Sequence, residues 1–356
     1  MEPNKIRVKT EKGEEELAAS KIIIGVGSRP AIPPIQGLQN ISYITSDTVW
    51  NLKELPSSLL VIGGGAIGLE IGQALARLGS EVTVVEAMGR ILPTPYFEPE
   101  ISLALKDYLE DEGLDIYTNS TVTAIYKEGG RKMAEIRTRD GKERLVVDEI
   151  LIATGRKPNT ESLGLENAGI ATDQKGYIIT DKFLKTSNPI VYAAGDCIAK
   201  SLMLETLAAK EGVTAATNAI KGDISTIDYS TTPIVVFTDP QVASVGITED
   251  ELMRREKVCS CRVLKLDYVA KARLIGDTRG FIKLVVNPKD STIVGVHALS
   301  PLASEIIMEG VMIIKNRIRL EELIDTTHVF PTISESIKLA AQSFIRDPFR
   351  MSCCVE

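Results

Sequence analysis

Long apolar runs, basic excess and cysteine are all scarce in this chain of 356 residues. No apolar stretch approaches the ~18 residues that a membrane-spanning helix needs. The opening "MEPNKIRVKTEKGEEE" is too polar for a signal peptide, so no membrane attachment is expected. Lysine and arginine number 41 against 48 aspartates and glutamates, a net charge of -7. That balance gives no basic footprint for nucleic acid. Five cysteines, an odd number in no regular framework, exclude a secreted disulfide scaffold and make a reducing cytoplasm the expected setting. Two of the five, Cys353 and Cys354, stand side by side in the final "FRMSCCVE". Either they sit by chance on a tolerant terminus, or they are a pair of soft ligands.

What is present is ordinary for a globular chain: 44% hydrophobic and 25% charged residues. The length predicts two or three domains. One pattern occurs twice, in "KIIIGVGSRP" (residues 21–30) and "EILIATGRKP" (residues 149–158). Each reads as a short buried strand running into glycine, a basic residue and proline. The stretch between the copies has its own strand-helix-strand rhythm, which predicts one domain nested in another, left at about residue 48 and re-entered near residue 159. "LMLETLAAKEGVTAATNAI" then reads as a helix. From about residue 229 strands precede two amphipathic helices, "PLASEIIMEGVMIIKN" and "TISESIKLAAQSFI", an α+β pattern.

The most informative segment is "SLLVIGGGAIGLEIGQALARLGSEVTVVE". An apolar strand, Leu59 to Ile62, leads into Gly63, Gly65 and Gly68 at G-x-G-x-x-G spacing, and a helix with a small face follows. Gly63 permits the tight turn, Gly65 lets a pyrophosphate approach the backbone, and Gly68 lets helix and strand pack closely. The helix start offers free N–H groups and a positive dipole end to phosphates. A second strand ends in Glu86 at the ~20-residue distance where an acid accepts from a ribose 2′-OH. Such an acid repels a 2′-phosphate, so NAD(H) is favoured, with NADP(H) kept open by nearby Arg90.

A Rossmann unit nested in another nucleotide-binding domain, followed by "ATGRKPN", "AAGDC" and an α+β end, resembles the FAD-dependent pyridine nucleotide–disulfide oxidoreductases along nearly the whole chain. The resemblance implies an α/β fold: a Rossmann-like NAD(P)-binding domain nested in a partial FAD-binding domain, followed by an α+β dimerisation domain. The divisions expected are 1–48 and 159–228 for the FAD-binding part, 49–158 for the NAD(P)-binding part, 229–347 for dimerisation and 348–356 for a Cys-Cys tail. It implies that Asp196 bonds the flavin ribityl chain and that Met203, Leu204, Glu205 and Thr206 lie near the isoalloxazine. It also puts Glu70 near the nicotinamide, with Gly155 and Val122 lining that site. The alternative for Asp196 is a cap on the next helix. The resemblance further implies a homodimer; the alternative is that both end helices only cover their own sheet.

Within that family "VFTDPQVASVG", "DTRGFIKLVV" and "IKLAAQSF" with the terminal Cys-Cys are similar to the mercuric ion reductase branch. Dithiol-oxidising members carry a His–Glu pair in "HPT" and "SE"; here "THVFPTISES" puts Phe330 in the histidine position and keeps Glu335 as the acid. The only histidines are His328, two residues away, and His297, at a common structural position. A phenylalanine moves no proton, whereas Hg(II) is a soft substrate held by thiolates. The resemblance makes Cys353 and Cys354 the metal-capturing pair, with Glu335 as a further catalytic residue. Adjacent Cα atoms lie ~3.8 Å apart, below the usual disulfide span, so these thiols are expected to stay open. Cys259 and Cys261 are read as structural, facing different ways, and Cys197 as a buried small residue. The sequence holds no second G-x-G-x-x-G and no C-x-x-x-x-C, and Gly25-Val26 replaces the usual Ala-Thr. A shortened mercuric reductase with an incomplete FAD site is therefore expected. A dihydrolipoamide dehydrogenase-like reductase and a non-catalytic NAD(H)- and thiophilic-metal-binding paralogue stay open.

Overall fold

The computed structural model describes residues 4–347, and Cys353 and Cys354 lie outside them. The chain divides into two compact units: residues up to Ala31 with Gly155–Tyr229, and Ile32–Thr154 with the residues from Ser230 on.

In the second unit, the strand Ser58–Ile62 is apolar on both faces because it is the middle of a five-stranded parallel sheet. The strand order is Ile44–Thr45, Glu149–Ile152, Ser58–Ile62, Glu81–Val85, Asp115–Tyr117. Leu59, Leu60 and Val61 are fully buried, each worth about 1.5–3 kcal/mol of burial. Helix α1 (Ala66–Arg77) follows the glycine loop and lays Gly72 against Val61 and Val82. Helix α2 (Pro99–Asp111) buries Ile101, Leu105 and Leu109 at four-residue spacing. An antiparallel trio, Thr121–Glu128, Arg131–Arg137 and Lys142–Val147, hangs on this sheet's core. Its first hairpin turns on Gly129 and Gly130, both at positive φ as a two-residue turn demands.

The same unit carries a five-stranded antiparallel sheet ordered Ile234–Val236, Gln241–Gly246, Ile293–Ser300, Phe281–Val286, Ser260–Lys265. The helix Ala303–Lys315 presses Ile306, Ile307, Gly310 and Val311 onto it. A Cβ on Gly310 would stand 3.0 Å from Val296, so glycine sets that close approach. Val236, Val242, Phe281 and Leu299 share one buried cluster with Leu59, Val61 and Leu105, which fuses the two sheets' cores.

The first unit pairs Ile22–Ile24 in parallel with Val191–Ala193 and covers them with helix α3 (Glu205–Lys221). The twice-occurring pattern meets itself there: Ser28–Pro30 and Arg156–Pro158 form an antiparallel ribbon, with Lys157 opposite Arg29. The expectation of a buried strand holds for Glu149–Ile152 and fails for Ile22–Ile24, where Ile23 is 44% exposed. The reason is pairing, since Ile22–Ile24 has a strand on one side only among the described residues. Among the described residues no helix is long and apolar enough to cross a membrane.

Candidate functional site

The glycine loop has the three geometries its spacing predicts. Gly63 sits at φ 112°, and a Cβ there would strike the Ala153 carbonyl oxygen at 2.4 Å. A Cβ on Gly68 would stand 2.1 Å from the Gly63 carbonyl oxygen, so glycine is what lets α1 dock on its strand. Gly65 differs: its φ is an ordinary -81°, and a Cβ would meet nothing within 4 Å. Glycine at this position leaves a space unfilled at the start of α1, which carries no side-chain cap and no acid in its first turn. An uncapped helix start behind an open cradle fits a pyrophosphate.

Glu86, buried beside this loop, accepts the N–H groups of Gly64 and Met88, each at 2.7 Å. A carboxylate offers about four acceptor directions, so it retains capacity for a ribose hydroxyl. Arg90 is turned away from such a role. Its guanidinium donates to the carbonyls of Thr94 and Phe97 and to the Ser102 hydroxyl. Glu70, on α1, accepts the Phe237 N–H at 2.7 Å; burial pushes its carboxyl above the usual range and that bond pulls it partly back. Val122 is buried in an apolar cluster with Ile125 and Ile136. Gly155, in the other unit, stands at φ 106° with open space where a Cβ would be.

In the first unit Asp196 lies in a short turn after the strand Val191–Ala193. The sequence leaves its partner to a cofactor hydroxyl; the structure supplies one from the chain. Ser28 donates its hydroxyl to Asp196 Oδ2 at 2.7 Å, and Arg156 Nε lies 3.8 Å from the same oxygen while donating to Ser28 at 2.6 Å. Sequence reasoning missed Ser28 and Arg156. Each follows the glycine in one copy of the repeated pattern, which marks the two positions but does not say that they meet Asp196. Asp196 does not cap α3; that position belongs to Leu204, and no side chain caps it. Met203 stands just before it at φ 57°, exposed and in the left-handed region that a non-glycine residue rarely adopts. Such strain collects at ligand sites. Glu205 and Thr206 are likewise exposed, at the uncapped start of α3.

Near the other end of the chain, Phe330 is 45% exposed and offers no proton acceptor. His328 Nε2 contacts Glu309 Oε1 at 2.7 Å and Nδ1 contacts the Thr326 carbonyl, and the glutamate holds the imidazole above its usual range. Glu335 is buried, its Oε2 has no partner, and burial raises its carboxyl. His297 is wholly buried, with Ser244 on Nδ1 and the Ile247 carbonyl on Nε2; burial lowers it to about 4. Cys197 is buried as expected. The reading of Cys259 and Cys261 is corrected: both thiols and a Glu249 carboxylate oxygen lie within 4.8 Å of one another. Residues two apart in an extended chain share a face.

These features together define a dinucleotide-binding oxidoreductase fold of the disulfide-reductase type. The chain belongs to the pyridine nucleotide–disulphide oxidoreductase family, whose description matches residues 2–221, with that family's dimerisation domain matching 232–341. It is similar to the mercuric reductase of Streptomyces lividans, 36% identical over 342 residues, covering 96% of this chain and 71% of that protein. The mercuric reductase of Staphylococcus aureus is 36% identical over 340 residues, 96% of this chain and 62% of that protein. Among solved structures, the HOCl-induced flavoprotein disulfide reductase RclA from Escherichia coli superposes with a TM-score of 0.85 at 29% identity, covering 97% of this chain and 77% of that one. LpdA from Mycobacterium tuberculosis gives 0.85 at 28%, covering 96% and 73%. The chain thus spans about two thirds of the length of the curated relatives it matches.

Proposed function

We propose that this chain serves the reduction of Hg(II) to Hg(0) by NAD(P)H through FAD, with Hg(II) as substrate. The observation that carries this reading is the base position, where Phe330 stands and His328 is committed to Glu309. Dithiol oxidation needs a proton acceptor there; two-electron reduction of a thiolate-held metal does not. When bound, FAD would relay the two electrons of the nicotinamide to the metal. Gly63, Gly65 and Gly68 would seat the NAD(H) pyrophosphate, Glu86 would take the ribose, and Glu70, Val122 and Gly155 would flank the nicotinamide. Asp196 would orient the ribityl chain, and Met203, Leu204, Glu205 and Thr206 would border the flavin ring. Cys353 and Cys354 would take Hg(II) by thiolate exchange, with Glu335 as a further catalytic residue. The commitment of Arg90 to backbone carbonyls and Ser102 supports NAD(H) over NADP(H). A cytoplasmic homodimer divided at residues 48, 158, 228 and 347 completes the proposal.

A second reading has its own support: the sequence contains one G-x-G-x-x-G and no C-x-x-x-x-C. On that reading the chain binds NAD(H) and thiophilic metal without turnover. The test is NADH oxidation by the purified chain with Hg(II) or lipoamide, alongside Hg(II) binding. Hg(II) bound per chain that falls by one equivalent in Cys353→Ala with Cys354→Ala, without lipoamide turnover, is expected. Hg(II)-dependent NADH oxidation then separates the first reading from the second. Lipoamide turnover would sink both.

A further inference from the structure

Glu249 opens helix α4 (Glu249–Glu256), and Lys257, in the left-handed region at φ 63°, turns the chain back into the strand Ser260–Lys265. The turn sets Cys259 and Cys261 beside the helix start. Cys259 Sγ donates to Glu249 Oε1 at 3.3 Å, and all three ligand atoms lie within 4.8 Å of one another. All three residues are half-buried, so the cluster is reachable from solvent. The scaffold behind it is fixed. Glu249 accepts from Lys283 Nζ on Oε2 at 2.8 Å, and its N–H donates to Glu98 Oε1 at 2.7 Å. Lys283 is itself buried between Glu98 and Glu100.

From this geometry we infer a second soft-metal site, Cys259–Cys261–Glu249, for a thiophilic divalent cation of the zinc, cadmium or mercury type. Two thiolates on a tetrahedral cation, each at about 2.3 Å, stand about 3.8 Å apart, within the span the cluster already has. Soft sulfur ligands select such cations over calcium or magnesium. The step is an exchange without oxidation: two S–H bonds break, two metal–sulfur bonds form, and two protons leave to solvent. The +2 of the cation replaces the two protons, so local charge does not change. Lys283 holds the carboxylate oriented, as outer partners of metal ligands do. An ordinary thiol, with a pKa of about 8.5, carries its proton near neutrality until a cation displaces it. The site stands independently of Hg(II) reduction.

The experiment uses the full chain carrying Cys353→Ser and Cys354→Ser, reduced and without oxygen, titrated with Cd(II). One Cd(II) per chain is expected, with ultraviolet thiolate charge-transfer absorption, a raised melting temperature and release of two protons. Affinity should therefore climb roughly 100-fold per pH unit near neutrality. Adding Cys259→Ser with Cys261→Ser should remove the absorption and the melting shift. Unchanged Cd(II) affinity in that variant overturns the site. Should that variant fail to fold, Glu249→Gln decides, since it keeps both thiols: a loss on the order of tenfold supports the site, and unaltered affinity overturns it.

Discussion

Single residues carry the nucleotide loop, and two glycines three positions apart do opposite things. Gly68 is a packing residue, because its missing Cβ admits the Gly63 carbonyl. At Gly65 nothing of the chain fills the space a Cβ would take, which is where the proposed pyrophosphate would lie. Gly68→Ala should therefore cost about 1–3 kcal/mol of stability through overpacking, read by urea unfolding. Gly65→Ala should leave the unfolding curve in place and weaken NADH binding about tenfold or more, an intrusion worth at least the ~1.4 kcal/mol per decade of affinity. Calorimetric titration of NADH checks it; equal effects of the two changes on stability would contradict the division of labour. At this scale the loop was legible in sequence, since its spacing states its backbone demands. The Ser28–Arg156–Asp196 contacts were not, since they join residues 128 and 168 positions apart.

Among elements, the antiparallel sheet of the second unit buries a histidine whose charge state sets a pH response. His297, on Ile293–Ser300, is lowered to about 4 by burial. The unfolded chain takes up its proton near pH 6.5, while the folded chain does so only near 4. A base lowered on folding stabilises fully above its unfolded value and loses that contribution as pH falls toward the folded one. Stability should fall by roughly 2 kcal/mol between pH 7 and pH 5 from this group alone. Urea midpoints across that range measure it, and His297→Asn should flatten that part of the slope. A slope that survives the substitution would assign it to other groups. His328 works in the opposite sense. Raised by Glu309, it stabilises fully below the ordinary imidazole range and loses that as pH rises through its folded value.

At the scale of the whole molecule the end sheet belongs to the segment that matches the family's dimerisation domain. The helix Ala303–Lys315 buries Ile306, Ile307 and Val311 on its own sheet and leaves Met308 and Met312 more than half exposed. Both alternatives left open by the sequence thus have support on one helix, one on each face. Sedimentation of the intact chain should show a dimer, as the family's dimerisation domain implies. Met308→Glu with Met312→Glu should shift it toward monomer by placing like charges in the contact. A monomer before substitution would leave the exposed methionines without that role.

By itself the sequence determined the α/β class, the glycine loop, Glu86 as its acid and, at Phe330, a side chain that moves no proton. Each follows from local spacing or side-chain chemistry, which needs no distant partner to be read. Tertiary structure alone decided that Arg90 is spent on its own chain and that Asp196 is held by Ser28 and Arg156. It likewise decided that Cys259 and Cys261 meet Glu249. Those facts depend on which segments folding brings within a few ångströms, and a hydrogen bond or metal bond is made at that distance whatever the separation along the chain. "SCCVE" shows two adjacent thiols in the sequence; the turn after helix α4 brought the other pair together.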